Sequence, residues 1–152
     1  MNHGLVVFED TVTHRNLLRE AAEYAASADA DLLLLAFLDE ESYEADIEAL
    51  ESIGRVENVS YGSDAVIEGA VNDIREVAED VLDGVDIEFD IAVTVADEDE
   101  RAKRMINAGD EYGCDHAFIV GRSRSPTGKA IFGDFAQRVI LNFDGYVTTA
   151  TN

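Results

Sequence analysis

The sequence predicts an α/β fold on a five-stranded, mostly parallel open sheet with helices on both faces. Three observations predict it. Apolar segments of strand length alternate with helical periodicities along the chain, the longest apolar run shows no polar alternation, and glycines fall where the helical patterns stop. The implied order is β-α-β-α-β-α-β-α-β with right-handed crossovers.

Residues 5–8 (Leu-Val-Val-Phe) read as a short first strand, and Leu17, Leu18, Ala21, Ala22, Ala25 and Ala28 then share one face of a helix. Residues 32–38 form a second strand, apolar throughout, as expected of a central parallel strand covered on both sides. Residues 39–61 are acidic and poorly periodic, and are expected to form a surface excursion with a short helix near 44–53. From Asp64 as N-cap, the residues Ile67, Ala70, Val71, Ile74, Ala78, Val81 and Leu82 recur at helical spacing, with Gly84 as the stop. Residues 85–95 alternate strictly between apolar and mostly polar positions, which places that strand at a sheet edge. A helix capped by Asp97 or Asp99 follows, carrying Ala102, Ile106, Gly109 and Tyr112 and ending at Gly113. Residues 117–120 form the next buried strand. A short helix over 134–142, burying Phe135, Val139 and Ile140, leads to a last strand over 146–151.

At 152 residues the chain fits one domain spanning 1–152 with a single substantial core, and its 47% apolar content argues against disorder. Its formal net charge is −22. Such a surface repels nucleic acid and anionic membranes, and it suits high ionic strength, where the charges are screened. Nine Arg against two Lys adds to a resemblance to acidic proteins of salt-accumulating microbes. Cys114 is the only cysteine, so no internal disulfide forms; no secretion-signal pattern or span-length apolar run is present, and the expected location is the cytoplasm.

Charge is distributed unevenly. The first hundred residues hold 28 Asp and Glu against 4 Lys and Arg, whereas residues 101–152 hold 5 against 7. Residues 121–133, which leave the fourth strand, contain Arg122, Arg124 and Lys129 without a carboxylate, together with Gly121, Gly128 and Gly133. Cations and closely approaching backbone N–H groups are the chemistry of an anion cradle. The Walker A spacing fails, with Ser123 at the first glycine position and Ala130 at the hydroxyl position, and Glu9-Asp10-Thr11 replaces the dinucleotide glycines after the first strand. Strand, Gly121, basic loop, Gly133 and helix resemble the phosphate loop of the universal stress protein family, whose pattern is G-x-x-G-x9-G-[ST].

That resemblance implies a Rossmann-like sheet of the adenine nucleotide alpha hydrolase kind, with strand order 3-2-1-4-5. It implies a cytoplasmic stress-response regulator that binds an adenine nucleotide, ATP with or without Mg²⁺, and forms a homodimer through its C-terminal strand. On the family's pattern Asp10 would hold the ribose, the backbone of Phe37 would face the adenine, and Gly121, Arg122, Arg124, Gly128, Lys129, Gly133 and Asp134 would surround the phosphates. The sequence departs from the pattern at Arg124, which replaces the second glycine, in a loop one residue shorter, at Asp134, which replaces Ser or Thr, and at Phe8, which stands where many members have proline. Asp134 also suits a helix N-cap. A nucleotide-free dimeric interaction module, with Asp134 blocking phosphate, is therefore the alternative.

Other chemistry is thinner. Cys114 and His116 share a strand face without further ligands nearby in sequence, and no metal site is expected there. His3 and His14 are isolated, no nucleophile elbow occurs, and the carboxylates of 97–100 read as a solvated helix start. No catalytic group is identifiable, and slow hydrolysis of ATP would need a water-orienting side chain that the sequence does not supply.

Overall fold

The computed structural model describes residues 1–57, 63–121 and 133–151. Its elements are β1 (His3–Val7), α1 (Val12–Ser27), β2 (Asp31–Leu38), α2 (Glu40–Glu57), α3 (Ser63–Val81), β3 (Phe89–Val95), α4 (Arg101–Tyr112), β4 (His116–Gly121), α5 (Gly133–Asn142) and β5 (Tyr146–Thr151). Five strands form one sheet in the order β3-β2-β1-β4-β5, and every pairing is parallel. The sheet order is the expected one. β2 lies inside the sheet, next to the central β1, while β3 and β5 are its edges.

Alternation along the interior strands divides the core between the two faces. Val6, Phe8, Leu32, Leu34 and Phe118 pack against Leu17, Leu18, Ala21 and Ala22 of α1 and Ala78 and Val81 of α3. Leu5, Val7, Leu33, Leu35, Ala117 and Ile119 face the other way, onto Ala102 and Met105 of α4 and Ala136 and Val139 of α5. An apolar strand with no alternation is what two covered faces require. Each fully buried leucine or valine of this set contributes about 1.5–3 kcal/mol relative to exposure.

Helix ends explain several boundaries. Thr11, in extended backbone, caps α1 by accepting the His14 N–H at 3.1 Å. Gly113 ends α4 with φ +68, a left-handed cap that glycine adopts at little cost.

Several boundaries differ from the sequence reading. The surface excursion is in fact an 18-residue helix, α2. Asp39 starts it, accepting the Ser42 N–H at 2.7 Å, and that bond holds the Asp39 carboxyl below its usual range. Tyr43, Ile47, Leu50 and Gly54 supply a thin inward stripe among acidic positions, too sparse to dominate the pattern. Asp64 lies within the first turn of α3, after Ser63, instead of capping it. β3 is shorter than the alternation suggested. Glu100, in helical backbone and without a side-chain capping bond, precedes α4, while Asp97 accepts the Glu40 N–H at 3.2 Å. α5 opens at Gly133, so Asp134 is a first-turn residue and not a cap, and Ile140 is exposed where Ala136 is buried.

Candidate functional site

β1 connects outward to β2 on one side and has β4 on the other, and a crevice opens beyond the carboxyl ends of these strands. The cleft there measures about 740 Å³. Val7 closes β1, Phe37 comes from β2, and Val120 and Gly121 come from β4. Gly133 through Ala136 bring the start of α5 to the cleft, and Glu98, Asp99 and Arg101 bring the start of α4. Glu9 and His14 complete the lining from the β1–α1 turn.

The opening of α5 offers unpaired backbone N–H groups, because the first turn of any helix lacks internal acceptors. Gly133 supports that geometry with φ +83, which disfavours any side chain. Its first-turn carboxylate, Asp134, is 78% exposed and pairs with Arg138 one turn along the helix, with Oδ2 3.2 Å from Nε.

Phe37 presents both ring and backbone. Its ring meets Phe135 edge to face, with centroids 6.4 Å apart, and the Arg101 guanidinium lies 5.4 Å from its centroid. Hydrogen-bond parity in β2 sets the backbone direction. Leu35 O accepts from Phe8 N at 2.9 Å, toward β1, whereas Leu38 O accepts from Ala96 N at 2.9 Å, toward β3. Phe37 therefore turns its N–H and C=O to the β1 side, past Val7, the last paired residue of β1.

Arg101 is held by its Nε bond to Ala96 O at 3.2 Å, and its side chain is 21% exposed. Its Nη1 stands 3.8 Å from Glu9 Oε1, and His14 Nε2 stands 3.8 Å from Glu9 Oε2. His14 is only 12% exposed at its side chain, and burial pushes its pKa down, with Glu9 acting weakly against that. Among the described lining residues, Glu9, Glu98, Asp99 and Asp134 carry negative charge and Arg101 carries the positive charge.

The structure brings Phe37, Gly121, Gly133 and Asp134 to one cleft. Asp10 is not among its lining residues: Arg15 Nε donates to Asp10 Oδ1 at 2.6 Å, which holds the Asp10 carboxyl below its usual range. Glu9 lines the cleft in its stead. Arg122, Arg124, Gly128 and Lys129 lie outside the described residues. Sequence reasoning missed Glu9, His14, Arg101 and Phe135 as cleft residues. The signal available for Arg101 was a single cation directly after four carboxylates at the start of a helix.

Away from the cleft, His116 is buried, with Nε2 2.8 Å from Thr148 Oγ1 and its ring stacked on Phe118 at 4.4 Å. Cys114 is buried beside it in sequence and its thiol is pushed up to about 11, chiefly by burial. Among the described residues no His, Cys, Asp and Glu cluster is arranged to hold a metal ion, and no helix is long and apolar enough to cross a membrane.

Sheet order, parallel pairing and a cleft at the switch point define a doubly wound α/β protein. Within that class, the chain belongs to the universal stress protein family, whose profile matches residues 1–149. No curated protein matches it. Among solved structures, a universal stress protein from Archaeoglobus fulgidus is 24% identical, with a TM-score of 0.62 over 98% of this chain and 97% of that one. A universal stress protein from the same organism in complex with dAMP is 21% identical, with a TM-score of 0.56 over 98% and 96%. A universal stress protein in complex with cAMP is 12% identical, with a TM-score of 0.61 over 99% and 96%. At these identities the likeness is one of fold.

Proposed function

We propose that this chain binds an adenine nucleotide, ATP, in the cleft beyond β1, β2 and β4, and acts in the stress response as a dimeric cytoplasmic regulator without catalysis. The observation that carries the reading is the cleft's division into two ends. On one side the Phe37 ring and its backbone groups, unpaired among the described residues, suit a purine, and on the other the opening of α5 at Gly133 suits a phosphate. Fold neighbours solved with dAMP and cAMP support it.

In this reading Gly121, Gly133 and the loop residues Arg122, Arg124, Gly128 and Lys129 hold the phosphates. Glu9 accepts from the ribose in place of Asp10, whose carboxylate is committed to Arg15. Mg²⁺ would offset the charge of Asp134 against the phosphates. Dimerisation proceeds through β5, whose outer edge has no neighbouring strand among the described residues. The acidic surface marks a protein adapted to concentrated salt.

Isothermal titration with Mg-ATP in molar KCl tests the central claim. Saturable heat at micromolar to low-millimolar ATP is expected, and folded protein that gives none removes the nucleotide. One observation favours the nucleotide-free module: the described lining carries four carboxylates and one arginine. If Asp134→Ser gains ATP affinity that the parent lacks, that second reading stands.

A further inference from the structure

The Glu9 carboxylate stands between two donors fixed independently of it by different helices. Arg101, from α4, is anchored to Ala96 O and lies over the Phe37 ring, with Nη1 3.8 Å from Glu9 Oε1. His14, from α1, has Nδ1 2.7 Å from Thr11 Oγ1 and Nε2 3.8 Å from Glu9 Oε2. Thr11 Oγ1 already accepts the backbone N–H of His14, so its hydroxyl hydrogen is available for Nδ1. With that hydroxyl donating to Nδ1, the tautomer on which the proposal rests, the ring hydrogen is on Nε2 and the imidazole is a neutral donor on the Glu9 side.

Neither 3.8 Å separation is a hydrogen bond, and both are of bridging size. An oxygen about 2.8 Å from each end of such a gap accepts from the nitrogen and donates to the carboxylate. Two gaps on the two oxygens of one carboxylate match two vicinal hydroxyls.

We propose that Arg101 and His14, flanking Glu9, read a cis-diol, one hydroxyl in each gap, so that the site selects ribonucleotides with both the 2′- and 3′-hydroxyls free. This rests on the nucleotide reading and adds a sugar specificity that sets this site apart from those of the two fold neighbours, whose ligands lack a free cis-diol: dAMP has no 2′-hydroxyl and the 3′-oxygen of cAMP is esterified. Loss of either hydroxyl leaves one carboxylate oxygen and one donor unbridged in a partly enclosed cleft. Discrimination of about tenfold or more against each deoxy analogue follows.

Competition titrations with ATP, 2′-deoxy-ATP and 3′-deoxy-ATP in molar KCl test this on the wild-type protein. ATP should bind about tenfold or more tightly than either analogue. Arg101→Met and His14→Phe should each weaken ATP while leaving one analogue almost unaffected, so that the preference collapses; His14→Gln, which keeps an N–H donor, should retain part of it. Asp10→Asn should leave the preference intact. Wild-type protein that binds ATP and both analogues equally overturns the diol assignment and leaves the nucleotide reading standing, as does a preference abolished by Asp10→Asn alone. Folded wild-type protein that binds none of the three overturns both.

Discussion

Gly145 occupies the turn before β5 with φ +142, a conformation that L-side chains rarely adopt, and a Cβ there would press on the Asp115 carbonyl oxygen. That same oxygen accepts the Tyr146 N–H at 3.1 Å and seats the first residue of β5. Gly145→Ala should therefore lower unfolding free energy by about 2–4 kcal/mol, measured by urea titration. His116 makes a different kind of contribution. Burial pushes its pKa below the ordinary 6.5, with Asp115 acting against that shift. As pH falls the unfolded chain takes up this proton first, so the contribution is full above about 6.5 and is lost as pH drops toward the folded value. Wild-type protein should lose more of its urea midpoint between pH 7.5 and 5.5 than His116→Gln does. A variant with the same pH slope as the parent would place the sensitivity elsewhere, in His14 or in the carboxylates.

At the level of elements, β5 gives the clearest test. Tyr146 N bonds to Asp115 O, toward β4, so Tyr146, Thr148 and Ala150 face the ladder while Val147 and Thr149 turn their backbone groups outward. Thr149→Pro removes an outward N–H without breaking a β4 bond. It should convert the proposed dimer to monomer by light scattering, with a change in melting temperature of only a few degrees. Strands and stops were legible in the sequence because they rest on local physics: residues 32–38 had no polar face, and Gly84 and Gly113 mark positive φ at +84 and +68. Only the middle of α2 was legible, as a short helix near 44–53, since its inward stripe of Tyr43, Ile47, Leu50 and Gly54 is diluted by acidic residues. The candidate site was half legible. Phe37, Gly121, Gly133 and Asp134 could be found from strand ends and a glycine pattern, but the choice of Glu9 over Asp10 depends on which way one turn twists. Arg101 reaches the cleft through a crossover from β3 that spacing does not encode.

Taken whole, the molecule combines a well-filled two-faced core with a formal charge of −22. At low ionic strength, carboxylates spaced within a Debye length of about 10 Å repel one another, and folding concentrates them. Raising KCl from 0.1 to 2 M should raise the melting temperature by about 10 °C or more, whereas an ordinary surface would shift by a few degrees. Calorimetry at several salt concentrations decides between these, and a flat dependence would argue against adaptation to salt. Because β1 stops short of β2, the amide of Phe37 has no strand partner among the described residues. In deuterated solvent that single proton should be replaced rapidly in the free protein, out of step with the protected amides along the rest of β2, and slowly once a base occupies the rim. One residue thus gives the protein an intrinsic gauge of occupancy that needs no label.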